Sequence, residues 1–485
     1  MKLYPIIGIE THVQLNTKTK LFCTCLNEYT PEEPNKNICP FCTGQPGALP
    51  VLNKQTVKKA IKFGLAVEGK IPEKTRWDRK NYFYPDLPTG YQISQYDNPI
   101  VEGGRIDFFS EDKNTGEFTA HKINLTRAHL EADAGKLIHA GGKTLVDFNR
   151  AGCPLMEIVS EPEIRTSQEA MGYVSELQLL VRRINISDAD MDKGQMRFDC
   201  NLSLQTQEEH QAGKLPKYKV EVKNINSVRA MGRAIEYEII RQTALLESGE
   251  TPAQETRGWR DDLNKSESQR SKEDAMDYRY FPEPDLQILV IKPEDIQNLN
   301  DLPELPNIQR KRYLDLDLNM QISNTFVNQN DVGQLFDRIT TQESTSTLLK
   351  TLANIITGSL IALSEKLEKP IFELLSDQNL IELAQLFEDK KINNQGLSKA
   401  LEILTQNPEK NTSEVVDEES LLQVNDDTAL QAFVEVVVEN NPSVVEEYKS
   451  GKVQVLGFLV GQCMKESKGK GNPQKFSDIL KTRLS

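Results

Sequence analysis

At 485 residues, with 38% hydrophobic and 27% charged side chains, the chain is long enough for about three domains with real cores. A net charge of −14 argues against a protein coated with nucleic acid but leaves room for a local basic surface. No run of 18 apolar residues occurs, and the start, Met1-Lys-Leu-Tyr-Pro-Ile6, lacks an apolar secretory region. A cytoplasmic protein that spans no membrane is therefore expected, with cysteines serving as ligands or core residues rather than disulfides.

The first element is a short apolar strand, Ile6–Leu15. Strand side chains alternate, so Glu10, His12 and Gln14 share one face and Ile9, Thr11, Val13 and Leu15 the other. A carboxylate and an imidazole side by side on such a strand are costly to bury unpaired. They hint at a metal or phosphate-transfer site; a simple Glu–His hydrogen bond at a strand end is the alternative. Next comes Cys23-x-Cys25-x13-Cys39-Pro-Phe-Cys42, with Pro31, Pro34, Pro40, Gly44 and Gly47 around it. Four closely spaced thiolates suit tetrahedral Zn²⁺ in a structural knuckle that needs little core; four free buried thiols are the alternative.

A helix is predicted over Thr56–Val67. Asp78–Tyr96 then gathers five aromatics, Arg79, Lys80 and two prolines, a composition that fits the 3′ end of an RNA or a nucleotide, or else a loop packed on a sheet. Glu131, in His129-Leu-Glu-Ala-Asp-Ala-Gly-Lys136, and Glu157, within the apolar strand Leu155–Val159, need cations if buried. With Glu10 and His12 they would make an oxygen-rich site suited to Mg²⁺, although ion pairs to Lys136, Arg150 or Arg165 would serve them equally. Gly141-Gly-Lys-Thr144 resembles the end of a phosphate loop, but Leu137 stands where that loop needs Gly.

Helices are predicted over Ser167–Arg183 and Ser227–Ser248, the latter closed by Gly249. After Leu302-Pro-Glu-Leu-Pro306 the pattern turns helical, as in Ser346–Leu367 and Asn379–Phe387, and Asn407–Ser420 reads as a linker or exposed loop. Asp427–Glu439 reads as helix, and from Lys449 to Ser485 eight Lys/Arg face two Asp/Glu, a net of +6 that suggests a partner carrying phosphates.

Gly8–Leu15, Asp78–Gln95, Val146–Gly152, Glu157–Pro162, Glu221-Val-Lys-Asn-Ile-Asn-Ser227, Gln254–Trp259, Asp277–Leu286 and Gly457–Gln462 together resemble the B subunit of the aspartyl/glutamyl-tRNA(Asn/Gln) amidotransferases, over essentially the whole chain. The resemblance implies an α+β protein. Residues 1–292 would form a cradle domain with an antiparallel sheet, 293–408 a helical domain and 409–485 a small tail domain that contacts tRNA. It implies a ligase that uses ATP and Mg²⁺ to phosphorylate the side-chain carboxylate of misacylated Glu-tRNA(Gln) or Asp-tRNA(Asn). Ammonia would come from the A subunit, a glutaminase, and the small C subunit would complete a heterotrimer. Glu10, His12, Glu131 and Glu157 match the Mg²⁺ site, and Arg79 and Lys80 would face phosphate or the ammonia channel. Two residues depart from the pattern: Asp192 stands where Glu is usual and Ala132 where a second acid is usual. Two other classes remain in view, a non-catalytic RNA-binding scaffold and a stand-alone small-molecule kinase.

Overall fold

The computed structural model describes residues 2–28, 33–112, 114–271, 278–341, 346–423, 427–467 and 469–484. Pro31 of the knuckle, Asp277, and Lys468 and Ser485 of the basic end lie outside them. The chain divides into two compact units, Met1–Ile308 and Gln309–Ser485.

A nine-stranded sheet organises the first unit. Its central strand, β1 (Tyr4–Gln14), is the apolar run that opens the sequence. On one side lie β5 (Pro154–Ser160) and β4 (Phe118–Ala132). On the other lie β6 (Met196–Gln205), β7 (Val220–Ile225), β8 (Glu255–Arg260) and β9 (Lys265–Ser271). The pairings are antiparallel except β7 with β8, which run parallel. This departs from the expected antiparallel sheet because α3 (Val228–Glu247) supplies the crossover that parallel strands require.

One face of the sheet is apolar. Ile9, Val13, Met156, Ile158, Leu130, Phe198, Leu202 and Val222 are buried there in a core shared with α2 (Ser167–Arg183) and α3. Both helices begin where Ser or Thr can accept a backbone N–H: Thr166 caps α2 through Glu169 N, and Ser227 caps α3 through Ala230 N. Gly249 takes φ 84° just past the end of α3, the left-handed turn that closes many helices. The helix predicted at Thr56–Val67 is α1 (Lys54–Ala66), capped by Asn53.

The Asp78–Tyr96 segment builds a small sheet of its own. Its strands β2 (Asp78–Asn81) and β3 (Tyr91–Ser94) pair antiparallel, and Phe281–Pro282 adds a short third strand. Asp78, Ser94 and Gln95 are buried, yet Phe83, Tyr84 and Tyr96 project into solvent.

The second unit is helical among the described residues. Ser346–Leu367 forms the predicted continuous helix, with a π turn at Ile356–Leu360. By length and composition this segment could cross a membrane, at a mean hydropathy of 1.4, contrary to the expectation that none could. Its Leu348, Leu349, Leu352, Ala353, Ile355, Ile356 and Leu360 are buried. Asn407–Ser420, expected as a linker or loop, instead contains a helix at Thr412–Glu418, with Thr412, Val415 and Val416 buried. A reciprocal cap, Glu414 N to the Asn411 side chain and Asn411 N to the Glu414 carboxylate, closes its start. Its polar composition concealed the two valines, one turn of apolar contact.

At the C-terminal end, Leu430, Val434, Leu459, Cys463, Phe476, Leu480 and Leu484 form a core of their own. The surface over it is less basic than the sequence count suggests. Lys452 pairs with Glu447, Lys475 with Asp427, Lys481 with Asp478, and Arg483 with Glu435.

Candidate active site

The other face of the sheet is ionic. Register sets its order: His12 on β1 lies opposite Glu157 on β5, and Glu157 lies opposite His129 on β4. Glu10 and Glu131, each two residues from a histidine, fall on the same face. His12 Nε2 stands 3.6 Å from Glu10, 3.7 Å from Glu131 and 3.4 Å from Glu157. His129 Nε2 stands 3.6 Å from Glu157 and 3.9 Å from Glu131. The structure thus brings together Glu10, His12, Glu131 and Glu157. Their ligand atoms fall into two overlapping groups, Glu10–His12–Glu157 and His129–Glu131–Glu157, each within 4.8 Å. Arg150 and Arg165 do not neutralise these acids. Arg150 bonds the carbonyls of Ala134 and Gly135 and approaches Asp133, and Arg165 bonds those of Pro162 and Ile164.

Burial and mutual repulsion shape the charges. Desolvation and the Glu157 charge push the Glu10 carboxyl up to about 7. Burial alone would lower His12, but its bond to Glu157 and the charges of Glu131, Glu157 and Glu10 raise it to about 9. Burial would raise Glu157 too; the charge of His129 and the bond from His12 overcome it and hold the carboxyl well below its usual range. The three carboxylates thus favour the protonated form of the one imidazole they surround. Three carboxylates and an imidazole are a donor set that a divalent cation can take over.

Glu10, His12 and Glu131 line a cleft of about 320 Å³ whose walls carry Lys80, Tyr82, Gln92, Arg197 and Lys223, with Glu157 buried behind His12. The charges of Glu131 and Glu157 raise the Lys80 ammonium against the opposing effect of its burial. The ammonium also stands 4.9 Å from the centre of the Tyr278 ring.

Arg79 corrects the sequence reading. It is one residue from Lys80, so the strand turns it to the opposite face. There it forms a two-pronged ion pair with the buried Glu283, at 2.7 and 2.9 Å, reaches Asp285, and lies over the Tyr91 ring. Arg79 does not line the cleft. Arg79→Met is expected to destabilise the unit by about 3 kcal/mol, because it leaves Glu283 charged and buried. Adding Glu283→Leu should restore much of the loss in chemical denaturation.

Sequence reasoning missed His129, Asp133, Arg197, Asp199 and Lys223. His129 carried a usable signal, since His129-x-Glu131 mirrors Glu10-x-His12. Asp192, one of the two departures, lies outside the cleft lining.

The four knuckle cysteines converge separately, their sulfurs all within 4.8 Å of one another. Cys42 Sγ lies 3.7 Å from Cys39 Sγ and 4.0 Å from Cys25 Sγ, and accepts the Cys39 backbone N–H at 3.0 Å. Bonds from Cys23 and from the Cys39 backbone, with Lys20 nearby, pull the Cys42 thiol down to about 5 although burial opposes this. Tetrahedral Zn–S bonding places sulfurs about 3.8 Å apart, so the arrangement fits such an ion.

A family model described as the GatB/GatE catalytic domain matches residues 5–297, and a second, the GatB domain, matches residues 334–484. The chain belongs to the GatB family. It is 45% identical, over its whole length and 86% of the relative's, to the chloroplastic/mitochondrial B subunit of the glutamyl-tRNA(Gln) amidotransferase of Physcomitrium patens. It is 43% identical to the B subunit of the aspartyl/glutamyl-tRNA(Asn/Gln) amidotransferase of Crocosphaera subtropica, over 99% of this chain and 97% of that one. The Coxiella burnetii protein of the same name is also 43% identical, over the full length of both. As a GatB protein the chain is the B subunit of a multi-subunit, tRNA-dependent amidotransferase, a ligase that forms carbon–nitrogen bonds.

Proposed function

We propose that this GatB chain activates the side-chain carboxylate of misacylated Glu-tRNA(Gln) or Asp-tRNA(Asn) with ATP and lets ammonia take the place of the phosphate. The convergence of Glu10, Glu131 and Glu157 around His12, at the base of the cleft, supports this reading. A carboxylate is a poor electrophile until it becomes an acyl phosphate, and phosphoryl transfer is chiefly positioning and charge neutralisation. These four residues would hold Mg²⁺, which supplies that neutralisation when bound. Lys80, half-buried beside them, would meet the transferring phosphate. Three buried or half-buried glutamates on one ionic floor have no use in a mere RNA-binding scaffold.

In this reading ammonia arrives from the glutaminase, the A subunit, while the small C subunit completes a heterotrimer and Zn²⁺ occupies the four-cysteine knuckle. The assembly works in the cytoplasm with no part in a membrane. The test is ATP-dependent amidation of purified Glu-tRNA(Gln) and Asp-tRNA(Asn) by the assembled complex. Amide formed on either tRNA supports the reading; ATP turnover that needs no tRNA overturns it in favour of a small-molecule kinase.

The C-terminal helices would hold the body of the tRNA. Because the buried residues of their core run through Leu484, deleting the basic end would unfold that core rather than test its charge. Lys449 and Lys465 are exposed, so Lys449→Glu with Lys465→Glu is the cleaner change. It is expected to weaken tRNA binding and to reduce the salt slope by about one per lost phosphate contact. Filter binding across a salt series measures this, and an unchanged slope refutes the assignment.

A further inference from the structure

A groove of about 420 Å³ shares no lining residue with the acidic cleft. One wall is α1, which turns Lys54, Val57, Lys58 and Ile61 toward it at helical spacing. The facing wall begins with Leu289, Val290 and Ile291.

The backbone of that wall has an open edge. Leu289–Val290 pairs antiparallel with Lys74–Thr75 and with no other described strand. Ile291 N bonds the Glu73 carbonyl at 2.8 Å. In an antiparallel ladder the neighbouring residue turns its backbone groups the other way, so the N–H and C=O of Val290 point outward. Native sheets guard such an edge with charge or proline. Leu286-Gln-Ile-Leu-Val-Ile291 has neither. Ile291 enters the core and Leu289 packs against it. Ile288 and Val290 share the opposite face and are 61% and 48% exposed. Val51, next in the chain to the groove residue Leu52, is 71% exposed.

The groove is also cationic. Lys54 and Lys58 stand one helical turn apart, and neither side chain has a partner among the described residues. Asp295, the carboxylate in the lining, is taken up by the Lys292 backbone N–H at 3.1 Å.

We infer that this groove docks an extended segment of another subunit of the amidotransferase. The segment bonds the open edge at Val290, covers Ile288 and Val290 with apolar side chains, and sets a carboxylate against Lys54 and Lys58. Strand addition of this kind draws its affinity from main-chain hydrogen bonds and its specificity from the side-chain pockets beside them. Two copies of this chain joined edge to edge about a twofold would set the lysine-bearing patch against itself, which favours a different, acidic chain. The inference holds whether or not this chain uses ATP.

The test places a photo-reactive phenylalanine derivative at residue 288 in the assembled complex and identifies the cross-linked peptide by mass spectrometry. An apolar, acid-bearing segment of another subunit is the expected partner. A cross-link to a second copy of this chain, or none, overturns the inference. Titration of the chain with the remaining subunits gives a second readout. Lys54→Glu with Lys58→Glu is expected to weaken association about tenfold and to remove most of its dependence on salt. Val290→Pro should weaken it too, since it removes the outward N–H and keeps the pairing with Lys74–Thr75. A carboxylate in the first turn of a helix is favourable, so the charge variant keeps its fold even if Val290→Pro does not. Unchanged affinity and salt dependence in the charge variant would sink the assignment.

Discussion

Glu157→Gln is expected to abolish tRNA-dependent ATP consumption, by about three orders of magnitude, while tRNA binding is kept. Glu157 is buried between His12 and His129, and its carboxylate belongs to both groups of candidate ligands. Glutamine preserves its volume but removes the charge and one oxygen donor. The cation that neutralises a transferring phosphoryl group is worth several kcal/mol, and about 4 kcal/mol corresponds to a thousandfold. Glu10→Ala should act in the same direction. Phosphate release is measured with misacylated tRNA present, and tRNA affinity by filter binding on the same preparations. Full phosphate release in both variants would mean that the acids are structural and that the chain is a scaffold whose chemistry lies in a partner.

Purified protein is expected to contain about one Zn²⁺ per chain, and its loss to unfold the knuckle. Beyond the cysteines, the knuckle is held by a few polar clamps. Asn35 N bonds Asp147, Asn37 N bonds Asn149, and Lys20 Nζ bonds the Asn37 and Phe148 carbonyls. Cys42→Ser, or strong chelation, should cost about 3 kcal/mol or more, because metal binding there is folding free energy. The Asp147–Arg150 segment leads into Asp133 at the cleft through the Arg150–Asp133 pair, so activity should fall with stability. Metal analysis and thermal unfolding check this. A metal-free protein of unchanged stability would return the four thiols to the role of core residues.

Local chemistry made parts of this protein legible in its sequence. Alternation along Ile6–Leu15 puts Glu10 beside His12 whatever the strand pairs with, because the period of two is a property of one strand. Helical spacing of apolar residues placed α2 at Ser167–Arg183, and Gly249 marked the end of α3; the caps, Thr166 and Ser227, came from the structure. The cysteine spacing, also local, announced a four-sulfur cluster. Where polarity stood in for structure, the reading failed. Asn407–Ser420 hid a short helix, and Lys475 and Arg483 of the basic end pair with Asp427 and Glu435 of another helix, which no count of charge could show.

Tertiary structure alone decided which distant groups meet. His12, Glu157 and His129 are neighbours only because β1, β5 and β4 pair in one register, and a slip of one residue would send each to the opposite face. Arg79 and Lys80 look alike in sequence, but the partner Glu283, some two hundred residues away, claims one and leaves the other in the cleft. Asn224 sits in a β-bulge because β6 and β7 differ by one residue in length between shared pairings. The sequence by itself determined the kinds of groups present and the face each takes within its own strand. Long-range pairing, whose energy is spread over many contacts, determined which of them share a site.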